Sequence, residues 1–132
     1  DQDDAMMLML QDKGAEHELS VLEGLKQQGL TIANIGLSSD KKAATIQAMK
    51  EGADVVFQAC LSQDQFTGFA DFLVKVPGSS QLGDYHYEIW DTKLSKSLQP
   101  YYTIQLCFYQ EMIAAIQGRY LDGFVIILVD QT

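Results

Sequence analysis

A chain of 132 residues with 47% hydrophobic content holds one domain with a sizeable core and is too short for two ordinary ones. Its 9 basic and 18 acidic residues leave a net charge of −9, which counts against binding nucleic acid by counterion release yet is compatible with a local site. No apolar run approaches the roughly 20 residues of a membrane helix, and no basic start followed by an apolar stretch marks a signal peptide.

The N-terminal Met6, Met7, Leu8, Met9 and Leu10 cluster reads as the tail of an upstream helix or a docking patch, with core packing the simplest account. Over residues 15–28, Leu19, Leu22 and Leu25 recur at helical spacing and Gly29 supplies a stop. Residues 31–37 are short and apolar enough for a strand or an extended crossing. Ser39-Asp40 then caps a second helix through Ala43, Ala44, Ile46 and Met49 to Gly52.

Beyond Gly52 the periodicity changes. Residues 54–61, 66–76 and 85–94 are rich in Val, Phe, Tyr and Ile and predict three strands, with turns at Ser62-Gln63-Asp64 and Pro77-Gly78-Ser79-Ser80. After Pro100, residues 101–117 return to helical spacing through Ile104, Phe108 and Ile116, and Gly118 follows the end. Residues 124–129 predict a buried strand. The order is helix, three strands, helix, strand, with a small helical insertion before the strand trio.

Asp91-Thr92-Lys93 carries the chemistry. Strand side chains alternate faces, so a carboxylate and an ammonium point the same way while Thr92 points opposite. Phe69, Asp71, Leu73 and Lys75 share one face of the preceding strand, so Asp71 sits within an apolar run, where an uncompensated charge is costly. Asp71 and Asp91 together predict a site able to hold a divalent cation, with Lys93 beside it to handle a proton or stabilise charge. Metal-dependent cleavage of a phosphodiester is the chemistry this suggests. Taken singly, Asp91 and Lys93 read as a surface ion pair, His17 as a boundary histidine beside the leucine stripe, and Gln105 and Tyr109 as ordinary helix residues. Glu18 lies about 100° round the helix from His17 and reads as solvated or as a group that supports the ligands from behind. Tyr101, Tyr102 and Trp90 suit packing better than base stacking. His86 and Glu88 are assigned no chemistry.

These residues fall into blocks. Gly68-Phe69-Ala70-Asp71-Phe72-Leu73, then Glu88-Ile89-Trp90-Asp91-Thr92-Lys93-Leu94, then Gln105-Leu106-Cys107-Phe108-Tyr109, with Gly14-Ala15-Glu16-His17-Glu18 upstream, resemble the RecB-like branch of the PD-(D/E)XK nuclease superfamily. The likeness runs from His17 to about residue 129 and is nearest to uncharacterised prokaryotic RecB-like nucleases. It implies an α/β, restriction-endonuclease-like core of order α-β-β-β-α-β, with a central mixed sheet flanked by helices. It further implies a single nuclease domain over residues 1–132, cut from a longer polypeptide that carries helicase or other regions. The start at Asp1 without methionine, and the end just after an apolar run, suggest the same.

By this resemblance Asp71 and Asp91 are the metal-binding acids, the Thr92 backbone carbonyl and His17 are further ligands, and Lys93 orients or deprotonates the attacking water or stabilises the phosphate. Gln105 and Tyr109 match a QxxxY helix that contacts DNA or positions the active-site loop. The expected cofactor is Mg²⁺, with Mn²⁺ as substitute. Some RecB-like relatives hold an iron–sulfur cluster on flanking cysteines, but Cys60 and Cys107 do not flank the core, so no cluster is expected within this chain. Two separated cysteines also disfavour a disulfide framework and fit a reducing cytoplasm. The implied activity is a DNA nuclease, an exonuclease more than an endonuclease, acting in DNA repair or processing on a single strand or a duplex end. The competing reading is a non-cleaving nuclease-fold module that binds nucleic acid or a protein.

Overall fold

The structure, a computed structural model, describes residues 2–94 and 100–129. The side chains of Met6, Met7, Leu8, Met9, Leu10 and Tyr101 lie outside the described residues. The described residues form an α/β fold of three helices on a five-stranded mixed sheet. The elements are α1 (Gln2–Gln27), β1 (Ile32–Asn34), a 3-10 turn (Ile35–Leu37), α2 (Lys41–Glu51), β2 (Val55–Gln63), β3 (Phe66–Ser80), β4 (Gly83–Leu94), α3 (Pro100–Gln117) and β5 (Val125–Val129). Strand order in the sheet is β1-β2-β3-β4-β5. The hairpins β2–β3 and β3–β4 are antiparallel, while β1 on β2 and β5 on β4 are parallel. Parallel pairs need a crossover, and α2 and α3 supply the two. No helix among the described residues is long and apolar enough to cross a membrane.

Local chemistry sets most boundaries. The Asp40 side chain accepts from the Ala43 N–H at 3.2 Å and starts α2, and Gly52 at φ 78° ends it in the left-handed conformation that glycine adopts freely. Leu22 and Leu25 of α1 bury against Val55, Phe57 and Phe72 on one face of the sheet. Leu19, expected in the same stripe, is exposed, because steps of three residues drift round a 3.6-residue helix. The other face packs Met49 of α2 and Leu106, Tyr109 and Ile113 of α3 on Val56, Leu73, Tyr87 and Ile89.

The structure corrects three sequence readings. Helix α1 begins at Gln2 rather than near residue 15, running through Gly14 without a break. Pro77-Gly78-Ser79-Ser80 is not the turn: β3 continues through it as an irregular stretch, pairing Pro77 with Tyr85 and Ser80 with Gly83, and the chain reverses at Gln81-Leu82. A bulge absorbs the missing proline N–H, which a regular ladder would not. Finally, strand alternation slips. Val56 and Ala59, three apart on β2, pack in one cluster, as do Ala70 and Leu73 on β3. The slip falls at Gln58, at φ 57°, whose neighbours Phe57 and Ala59 pair with Phe72 and Ala70 and so flank the position opposite Asp71.

Gln117 closes the sheet where β5 has not begun. Strand β5 pairs with β4 only from Trp90 onward, leaving Tyr87 without a strand partner on that side. The buried Gln117 amide replaces one, its Oε1 accepting from the Tyr87 N–H at 2.5 Å and its Nε2 donating to the Tyr87 carbonyl at 3.3 Å.

Candidate metal and nuclease centre

The β3–β4 ladder stops at Phe72↔Trp90, while β3 stays paired with β2 as far as Phe66 and β4 stays paired with β5 to Val129. The sheet therefore forks, and the backbone amides facing the fork lose their strand partners. Carboxylates take their place. The Asp71 N–H donates to Asp91 Oδ1 at 3.1 Å, and the Thr92 N–H and hydroxyl donate to Asp71 Oδ2 at 2.7 and 2.9 Å. Each aspartate thus caps the other strand's backbone, and the two are locked together across the fork.

A chain of polar contacts leads from Asp91 to α3 and returns. Lys93 Nζ pairs with Asp91 Oδ2 at 3.0 Å, donates to Gln105 Oε1 at 3.2 Å and lies 4.1 Å from the centre of the Tyr102 ring. Gln105 Nε2 donates to the Tyr109 hydroxyl at 2.9 Å, and that hydroxyl also meets the Phe69 backbone. A Cβ added at Gly68 would sit 2.3 Å from the Tyr109 ring, so the ring lies directly on the backbone of β3 and only glycine leaves it room. The circuit runs Asp71, Asp91, Lys93, Gln105, Tyr109 and back to β3 two residues short of its start.

Burial raises the pKa of both acids. Asp71 is pushed up to about 7, by desolvation first and then by its hydrogen bond and charge repulsion with Glu18, against the pull of the Thr92 N–H and hydroxyl. Asp91, 2% exposed, is pushed up to about 6 by desolvation and the Asp71 charge, against the Lys93 ammonium and the Asp71 N–H. Burial and the Asp91 charge also raise Tyr109. Two desolvated carboxylates that repel one another are oxygen donors suited to a hard cation.

The predicted residues divide accordingly. Asp71, Asp91, Thr92, Lys93, Gln105 and Tyr109 come together, and Asp91 is joined to Lys93 as an interior pair rather than a surface one. Asp71 does not share the outlook of Leu73, as uniform alternation would require: after the slip it turns toward α1 and meets Glu18. Glu18, read from sequence as solvated or as a group supporting the ligands, is the α1 side chain that meets Asp71. His17 makes no hydrogen bond or ion pair with either aspartate, and its Nε2 is buried without a hydrogen-bond partner. Among the described residues no three His, Cys, Asp or Glu side chains converge closely enough to hold a metal ion. The donor chemistry of the two facing carboxylates nonetheless suits one, and the buried His17 Nε2 has no hydrogen-bond partner in place of it.

A cavity of about 300 Å³ opens beside Asp71, walled by Glu18, Lys41, Gln58 and Phe69. The Gln58 side chain reaches across it to Gly36, where an added Cβ would lie 2.2 Å from its Oε1. Sequence reasoning missed Gln58 and named Gly68 only as the start of the first acid block, without a role. The strand register that pairs Phe57 with Phe72 is the signal that brings Gln58 opposite Asp71. Cys60 is buried and Cys107 exposed, both as free thiols. No family model, curated protein or solved structure matches this chain.

Proposed function

We propose that this chain is a divalent-metal-dependent DNA nuclease with a restriction-endonuclease-like core of the RecB-like kind, hydrolysing phosphodiester bonds from a DNA end in the cytoplasm. The observation that carries the reading is the circuit itself. An acid pair at the fork of a mixed sheet is tied through Lys93 to a glutamine and a tyrosine one helical turn apart on the following helix.

Asp71, Asp91 and the Thr92 carbonyl would hold Mg²⁺ or Mn²⁺, with His17 the further ligand that the family resemblance implies, and the metal when bound would supply charge stabilisation to the phosphate and lower the pKa of water. Lys93 is held by Asp91 and Gln105 with its ammonium beside the acids, where it stabilises negative charge developing on a phosphate oxygen or orients the attacking water. Gln105 fixes Lys93, and Tyr109 fixes Gln105 against β3. Burial of the acids keeps water from screening these charges.

End-labelled single- and double-stranded DNA incubated with the full chain in Mg²⁺, Mn²⁺ or EDTA tests the reading. Cleavage is expected with either metal and not with EDTA, and Asp91→Asn or Lys93→Ala lowers it by about 100-fold or more. Cleavage that survives Asp91→Asn would sink this site. DNA binding without cleavage under any metal would point to the non-cleaving module.

A further inference from the structure

A groove of about 320 Å³ runs between the start of β3 and α3, and Gln105 and Tyr109 form its inner end. Its outer end is aromatic. Phe66 and Phe108 are 61% and 50% exposed, and their rings stack at 5.6 Å between centroids and 20° between planes; Ile104 beside them is 59% exposed. A pair of phenylalanine rings left in water at one spot forgoes the burial that makes such residues worth having. Holding both rings nearly parallel leaves a flat outer face ready to take a third.

We infer that this groove is a stacking platform for the bases of single-stranded DNA, leading an unpaired strand toward the acid pair. Three observations choose that occupant. The groove is continuous with the candidate centre, because Gln105 lines it and also holds Lys93. Among the described residues no charged side chain lines it in a chain of net charge −9, so it spares a polyanion the repulsion found elsewhere, and Gln105 at its inner end is hydrogen-bonded to the Lys93 ammonium. A flat aromatic face takes any unpaired base, whereas bases inside a duplex already have both faces covered. The platform rests on the nuclease reading for its purpose and deepens it: the substrate is an unpaired strand, held by stacking rather than by phosphate contacts.

Fluorescence anisotropy with labelled oligo-dT and a duplex of equal length, in EDTA so that nothing is cleaved, tests the platform apart from the nuclease reading. Oligo-dT is expected to bind more tightly than duplex. Phe66→Leu or Phe108→Leu, which keep an apolar side chain but remove the ring, are expected to weaken it by about tenfold. Phe108→Trp keeps the affinity. Thermal unfolding of each variant checks that the fold is intact, as expected for exposed positions. Equal affinity for duplex, wild-type affinity in both leucine variants, or a dimer that Phe108→Leu dissociates with no change in oligo-dT binding overturns the platform. Binding that behaves as expected without metal-dependent cleavage leaves the platform standing and removes the nuclease reading. Cleavage with unaltered binding in the leucine variants does the reverse.

Discussion

Asp71 and Asp91 show what a buried acid pair costs a fold. Their raised pKa values mean that the folded chain binds protons more tightly than the unfolded one, whose aspartates titrate near 3.8. Folding is therefore favoured at acidic pH, and that advantage is lost as pH climbs from about 4 through about 7. In EDTA the wild-type Tm is expected to fall between pH 4.5 and 7.5 more steeply than that of Asp71→Asn, which keeps the shape and removes a charge repelled by both Glu18 and Asp91. Parallel pH profiles for the two proteins would show that the pair carries no such penalty. At this scale the sequence was informative where chemistry is written in residue type. A carboxylate and a lysine two apart on a strand, and a glutamine and a tyrosine four apart on a helix, have their relative placement set by local geometry. Glu18 was legible only as one of two readings, since which side of α1 meets the site depends on how the helix docks across the sheet.

Strand β2 carries an unusual backbone conformation at the position opposite Asp71. Gln58 at φ 57° is a non-glycine residue in the left-handed region in mid-strand, a conformation that costs of order 1 kcal/mol. Its effect is to reset alternation, so that Ala70 faces α3 while Asp71 faces Glu18. Had alternation held, Asp71 would have pointed with Leu73 into the packing under α2 and α3. At an ordinary strand position glycine is less stable than alanine by roughly 0.5–1 kcal/mol. At position 58 the order is expected to reverse, Gln58→Gly being more stable than Gln58→Ala by about 1 kcal/mol in urea unfolding. The usual order would mean that the backbone is not strained there. No residue pattern announces this slip, because glutamine has no preference for positive φ. The Pro77-Gly78-Ser79-Ser80 turn misled for a related reason: the residues that favour turns also favour bulges, and only the partner strand decides between them.

The whole sheet explains why the acids meet at all. Strand β5 joins β4 in parallel after the α3 crossover and holds it to Leu94, while β2 holds β3 to Phe66, so two separate pairings pull the central strands apart beyond Phe72 and Trp90. The element order behind this was legible from periodicity and turn residues. The fork was not, since it arises from pairing between elements distant in sequence. A fork lined by two like charges is a place where a cation stabilises the entire fold, because it binds the folded chain and has no comparable site in the unfolded one. Mn²⁺ at about 100 times its dissociation constant is expected to raise the Tm at pH 8 by on the order of 10 °C, and EDTA to reverse it. The rise shrinks toward pH 5.5 as protons compete for the same carboxylates, and it disappears in Asp71→Asn/Asp91→Asn. His17→Ala separates two sources of that stabilisation. A smaller rise assigns the buried imidazole nitrogen to the cation, while an unchanged rise leaves the fork's oxygen atoms holding it alone. A Tm indifferent to Mn²⁺ in the wild-type chain would remove the metal from the account, leaving a salt-bridged fork whose acids serve only to cap the backbone where the strands part.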